Sequence, residues 1–252
     1  MDHRRRRDPV VVRRGELVVE RDPDRPSGRL LLQDEMEASY VDLADVTHLE
    51  FDYMRWLRIV LRAVSARRVV HVGGAACALP RALAAEWPDG RQEVCEIDGE
   101  VLALARDHLG LRRTRGLRVR EVDGRAWLAG RPDASFDAIV IDAFLGARIP
   151  RRLVSLPALR DAARVAPLVL VNVVDDRTGH EVRAVAAGLA EVTSHVWLLS
   201  GRAGNTIVAG GVRVPPLDRI AAAAAADSAP AQVTEPARLR QLIVGAAPVC
   251  EP

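Results

Sequence analysis

The chain has 252 residues, 49% apolar and 28% charged, enough apolar content to bury the core of one domain of ordinary size with a small appendage. All 36 basic side chains are arginine, which excludes a P-loop lysine and Schiff-base chemistry. A formal charge of +2 argues against a nucleic-acid partner, and the absence of a long apolar stretch or an apolar leader argues against a membrane one, so a soluble cytoplasmic protein is expected.

Arg4–Arg7 and Arg13–Arg14 read as a solvated tail, since no aromatic residue is interleaved with them. Short β-prone pieces at Val10–Val12, Glu16–Val19 and Arg29–Leu32 predict a small antiparallel N-terminal sheet. Apolar residues at helical spacing from His48 to Val64 predict an amphipathic helix leading into a strand at Arg68–Val72. Beyond it helices are expected at Pro80–Glu86, Glu100–Leu109, Leu156–Val165 and Glu181–Leu189. They alternate with strands at Glu93–Ile97, Leu117–Glu121, Ala138–Ile141, Val169–Val173, His195–Leu199 and Thr206–Ala209. Strands alternating with helices predict an α/β, doubly wound, mostly parallel Rossmann-like sheet. The expected organisation is a tail and β-hairpin region over 1–47, a cofactor domain over 48–214, and a helical extension over 215–252 that opens at Pro215-Pro216 and carries the Ala221–Ala226 run.

The most informative stretch is Val69–Asp98, where the first parallel strand runs into Gly73-Gly74-Ala75-Ala76 and the second ends in Glu96-Ile97-Asp98. Small residues between a strand and a helix let backbone N–H groups approach a ligand, and an acid at the next strand end accepts ribose hydroxyls. The glycine pair lacks the full G-x-G-x-x-G pattern and by itself is equally the signature of a tight turn. Further strand ends carry Asp123, Asp142, Asn172 and Asp175. Any one acid there could cap a helix; a succession of them converges on one crevice. His71 reads as a core histidine. Cys77, Cys95 and Cys250 show no metal or disulfide spacing, and His180 and His195 lack partners at ligand spacing, so no metal is predicted.

The segments VVHVGGAACALPRALA, VCEIDGEVLALARDHL, VREVDGRAWL and FDAIVIDAFLGARIP resemble the spermidine synthase-like proteins, polyamine aminopropyltransferases with the class I S-adenosylmethionine-dependent methyltransferase fold. The resemblance extends from about Gly15 to Ala209, including the hairpin region LLLQDEMEASYVDLADVTHLEFDY and the late segment GRAGNTIVAGG. It implies that Glu96, with Ile97 beside it, holds the ribose, that Asp123 with Gly124 meets the adenine, and that Gly73, Gly74 and Ala76 form the cofactor loop. Asp142 would both border the cofactor and act as the catalytic acid-base. His48 and Glu50 fall where the family lines its amine pocket. The implied cofactor is S-adenosylmethionine or its decarboxylated form, with methylthioadenosine as a product, the implied acceptor a small-molecule amine, and the implied assembly a homodimer or homotetramer.

Several positions depart from the family pattern. Ala76 replaces the loop Asp that grips the decarboxylated cofactor, Ala38 a polyamine-contacting Gln, His48-Leu49 a Tyr-Gln pair, and Leu145 a second acid; a Pro-Gly-Gly turn is shortened to Ala166-Pro167. Three functions stay open on these grounds. They are aminopropyl transfer to an amine, methyl transfer from S-adenosylmethionine whose carboxylate would be held by backbone N–H groups near Gly74, and nucleoside binding without catalysis.

Overall fold

A computed structural model describes residues 9–146, 148–174, 178–202 and 204–251; Arg4–Arg7 and Asp175 lie outside them. The N-terminal strands β1 (Val10–Arg14), β2 (Leu17–Arg21), β3 (Gly28–Gln33) and β4 (Met36–Asp42) form an antiparallel sheet in that order. Sequence reading missed β4 as a strand. Its hairpin turns through Asp34 and Glu35, both at positive φ (51° and 63°), and that turn type is usually announced by Gly or Asn.

Helix α1 spans Asp52–Ala63 and begins later than the expected His48. The preceding carbonyls are taken by arginines of the helix itself: Arg55 donates to Leu49 O and Glu50 O, and Arg58 to Thr47 O. These contacts tie the segment to α1 outside the helix, and α1 buries Met54, Trp56, Leu57, Val60 and Leu61.

The main sheet is built from β5 (Arg68–Val72), β6 (Arg91–Glu96), β7 (Leu117–Glu121), β8 (Ala138–Ile141), β9 (Leu168–Val174), β10 (His195–Ser200), β11 (Asn205–Gly211) and β12 (Gln232–Thr234). Their order is β12-β10-β11-β9-β8-β5-β6-β7. The five strands from β9 to β7 are parallel and the other three antiparallel, which makes the sheet mixed. β10 and β11 form a hairpin because 201–204 is far too short for a parallel crossover.

Helices α2 (Ala78–Glu86), α3 (Gly99–His108), α4 (Gly124–Ala129), α5 (Arg151–Val154), α6 (Leu156–Val165), α7 (His180–Val192), α8 (Leu217–Ala225) and α9 (Pro236–Leu242) complete the chain. Successive strand residues feed opposite faces of the sheet. Val69, Ala138 and Leu170 join a core with α1, α2 and α3, while Val70, Ile139 and Val171 join a second with α4, α6 and α7. Burial on both faces is why these strands read as unbroken apolar runs. The segment after Pro216 is more than helical, since β12 extends the sheet beside β10 and Trp56 Nε1 donates to Ala229 O. Among the described residues no helix is long and apolar enough to cross a membrane, and no group of three or more His, Cys, Asp or Glu is placed to hold a metal.

Candidate functional site

Strand β5 pairs with β6 on one side and β8 on the other, so the sheet winds outward in both directions from this pair. Such a switch point opens a crevice at the carboxyl ends of the strands. The loops leaving it are held closely: Gly73 N–H donates to Cys95 O and Asp142 N–H to Val72 O, both at 2.9 Å. Gly73 has φ +81°, and a Cβ there would sit 2.3 Å from Asp142 O, so only glycine lets the two loops pass.

A cavity of about 1070 Å³ fills the crevice and continues over the N-terminal sheet. Its carboxylates are Glu20, Asp22, Asp34 and Glu37 from that sheet and its turns, Glu50 and Asp52 at the start of α1, and Glu96, Asp98 and Asp142 from the strand ends. Against them stand Arg21 and Arg152.

Of the residues expected at the site, Glu50, Gly73, Gly74, Glu96, Ile97 and Asp142 are brought together around this cavity; Ala76, His48, Asp123 and Gly124 are not part of its wall. Ala76 is fully buried, and its neighbour Ala75, at φ +42°, is the residue that borders the cavity. His48 stands one contact away, with Nε2 2.8 Å from Glu50 Oε2 and its ring edge-on to Tyr40. Gly124 lies against the core, where a Cβ would meet Val72 Cγ1 at 2.5 Å. Asp123 caps α4 through Ala126 N–H and pairs with Arg152, which does line the cavity. Arg152 and the cap hold the Asp123 carboxyl below its ordinary range, although burial opposes them.

Glu96 is already engaged. Its Oε2 accepts from Gly74 N–H at 3.1 Å and Ala75 N–H at 3.0 Å, and its Oε1 from Asp98 N–H at 3.0 Å. The loop N–H groups expected to hold a ligand carboxylate therefore point at the protein's own carboxylate. A carboxylate has about four lone-pair sites, so Oε1 retains capacity for a hydroxyl donor.

Asp142 lies at the centre of a polar chain that joins four elements. Asn205 Nδ2 on β11 donates to Asn172 Oδ1 at 3.0 Å, Asn172 Nδ2 on β9 donates to Asp142 Oδ1 at 2.9 Å, and the Tyr53 hydroxyl on α1 also hydrogen-bonds Asp142. Burial pushes the Asp142 carboxyl above its ordinary value, against these two hydrogen bonds to Asp142. Burial and the nearby Asp142 charge drive Tyr53 well above its own. A carboxyl held partly desolvated, oriented and raised toward neutrality is suited to accept and release a proton. Sequence reading placed Asn172 only as a strand end, counted Tyr53 among the apolar face of α1, and gave no role to Asn205 or Arg152. The available signal was Asn172, the lone polar residue in the apolar run Leu168–Val174.

No family model matches the chain. The polyamine aminopropyltransferase of Vibrio vulnificus (strain CMCP6) is 26% identical over 119 residues, 45% of this chain; the match spans only 40% of that relative's length. A probable spermidine synthase from Corynebacterium glutamicum ATCC 13032 superposes with TM-score 0.86 at 26% identity, covering 96% of this chain and 95% of its own. A spermidine synthase in complex with the transition-state analogue AdoDATO gives TM-score 0.65 at 14% identity over 97% and 85% of the two chains. Human methyltransferase-like protein 13 in complex with SAH gives 0.54 at 20% over 65% and 83%. The last two likenesses speak to the fold.

Proposed function

We propose that this chain, spermidine synthase-like in sequence and in fold, transfers an aminopropyl group from decarboxylated S-adenosylmethionine to a cationic amine, with Asp142 as the proton acceptor. The observation that carries the reading is the cavity lining, in which nine acidic residues outnumber two arginines, Asp52 being paired with Arg55 and Asp98 engaged at the start of α3. Such a wall favours ligands that arrive positively charged and replaces their hydration with fixed carboxylate oxygens.

The same wall supports the decarboxylated form of the cofactor. S-adenosylmethionine brings a carboxylate, and the backbone donors that would receive it, Gly74 N–H and Ala75 N–H, are engaged by Glu96. Of the two arginines on the wall, Arg152 is engaged by Asp123, and Arg21 stands on the N-terminal sheet. The decarboxylated form has no such requirement. Glu96 retains acceptor capacity for a ribose hydroxyl, and Ala143, Phe144 and Leu153 in the lining offer apolar surface for the nucleoside.

The bound sulfonium would supply an electrophilic methylene next to a good leaving group. An acceptor amine reaches the site as an ammonium, and its nitrogen cannot attack until a proton is removed. Asp142 takes that proton. The freed lone pair forms the new N–C bond while the C–S electron pair stays on sulfur as a thioether, so the positive charge passes from sulfur to nitrogen. Asn172 and Tyr53 keep the Asp142 oxygens oriented through the exchange. Positioned proton transfer of this kind supplies roughly 10²–10⁴ in rate.

One feature favours methyl transfer instead: Ala76 stands where the resembling family carries the Asp that grips the aminopropyl ammonium. The deciding experiment incubates the protein with decarboxylated S-adenosylmethionine, or with S-adenosylmethionine, and a panel of putrescine, agmatine and spermidine. Methylthioadenosine from the first cofactor supports the proposal. S-adenosylhomocysteine from the second replaces it with methyl transfer, and neither product from any pair overturns both.

A further inference from the structure

Beneath the glycine loop lies a second cavity of about 10 Å³, bordered by His71, Gly73, Gly74, Ala78 and Asp142. That volume matches the smallest space that holds one water, and such a water needs polar partners. His71 and Asp142 both border it. The tautomer of His71 follows from its other contacts. Gln92 Nε2 donates to Arg67 O at 3.1 Å, which leaves Gln92 Oε1 as the atom facing His71 Nε2 at 3.0 Å. Nε2 therefore carries the proton and Nδ1 the lone pair. Burial lowers the His71 pKa to about 4, so the ring is neutral at physiological pH and Nδ1 remains an acceptor.

We infer that His71 is a positioning residue for Asp142, acting through one water held in this cavity. The water donates one hydrogen to His71 Nδ1 and the other to an Asp142 oxygen. A neutral histidine with a fixed acceptor is what orients it this way; a donor at the same place would turn the water's lone pairs toward the carboxylate. The bridge adds a third hydrogen bond to the ionised form of Asp142 besides those from Asn172 on β9 and Tyr53 on α1. It counters the burial that favours the neutral acid, and so opposes the upward shift of the Asp142 carboxyl. Asn205 on β11 bears on the carboxyl through Asn172, and Glu96 on β6 is turned into the loop N–H groups. The inference rests on the reading of Asp142 as the proton acceptor, although the water bridge itself is independent of which group is transferred.

The test compares wild type, His71→Leu, His71→Asn and His71→Gln. The midpoint of the Asp142 titration is read by carboxyl-carbon NMR of aspartate-labelled protein, with the Asp142→Asn variant identifying the resonance. The Asn side chain places its oxygen near the position of Nδ1 and preserves an acceptor for the water; Leu offers none, and Gln places its amide near Nε2. The expected result is that His71→Leu and His71→Gln raise the midpoint by about one pH unit while His71→Asn stays near wild type. The acid limb of any transferase activity should move with it. If His71→Leu does not fold, the contrast between Asn and Gln decides. An unmoved midpoint, or equal shifts in every variant, overturns the inference. A moved midpoint without aminopropyl transfer would leave the bridge standing and remove the functional reading; transfer with an unmoved midpoint would do the reverse.

Discussion

Asn172 donates its side-chain amide to Asp142 Oδ1 across 2.9 Å and ties a strand of the sheet to the loop that leaves its neighbour. Asn205 in turn fixes which end of the Asn172 amide faces the carboxylate, by donating to its oxygen at 3.0 Å. The Asp142 carboxyl is thus held by residues that would pass for strand interior.

Replacing Asn172 with Ala or Leu removes a hydrogen bond that favours the ionised carboxylate, so the Asp142 pKa should rise further. The acid limb of the rate-against-pH profile should then move to higher pH. Asn205→Ala should give a smaller shift of the same sign, because it acts only through the orientation of Asn172. A profile unchanged in both would show that the chain of amides does not bear on the proton.

Asp142→Asn should lower turnover by about 10²-fold or more while leaving nucleoside affinity nearly unchanged, since a general base acts mainly in the transition state. It should also stabilise the protein at neutral pH. The folded-state pKa is raised, so the folded protein binds this proton more tightly than the unfolded chain, and stability is lost as pH climbs from the unfolded value through the folded one. The neutral amide avoids that loss. A gain at pH 7 that vanishes below the ordinary aspartate pKa is expected in denaturant titrations. A variant less stable at pH 7 would contradict it.

Glu96→Ala removes the acceptor for Gly74, Ala75 and Asp98 N–H and, on the proposed reading, for a ribose hydroxyl. Charge-assisted bonds of about 1.5–3 kcal/mol predict more than tenfold weaker methylthioadenosine binding by calorimetry. The freed N–H groups should at the same time improve the relative affinity for the carboxylate-bearing S-adenosylmethionine. An unchanged ratio of the two affinities would mean that the loop donors do not select the cofactor.

Ala76→Asp places a carboxyl in the larger hydrophobic core rather than at the cavity wall. Leaving it unpaired there is costly, and a stability loss of several kcal/mol in thermal melts is the expected outcome. Ala75, which does border the cavity at φ +42°, should accept Gly with a gain of up to about 1 kcal/mol by relief of backbone strain. A stable Ala76→Asp protein that now prefers the decarboxylated cofactor would show that the loop turns this residue outward.

Gly73→Ala should be among the most damaging single-methyl changes, because its Cβ would overlap Asp142 O and Ala143 at 2.3–2.8 Å while φ is positive. A loss of roughly 1–3 kcal/mol, accompanied by loss of turnover as Asp142 is pushed aside, is expected in melts and assays. Retained activity would place the two loops further apart than described.

Much of the fold was legible in the chain. Leu117–Glu121 and Ala138–Ile141 match their strands, and Leu156–Val165 its helix, to the residue, because strands buried on both faces and amphipathic helices write their environment into local periodicity. Glu96, Gly73, Gly74 and Asp142 could be named because a strand end is a local feature and the order of strands fixes which ends meet. What the chain could not announce was contact between elements far apart in sequence. The pairing of β10 with β11 and β12, the non-helical segment before α1 held by Arg55 and Arg58, and the approach of Tyr53, Asn172 and Asn205 to Asp142 depend on groups meeting across the fold. So does the inward turn of Ala76 and the capture of the loop N–H groups by Glu96. Periodicity records whether a position is buried; which atoms satisfy it, and therefore which carboxyls remain free for a ligand, is decided only when the elements pack.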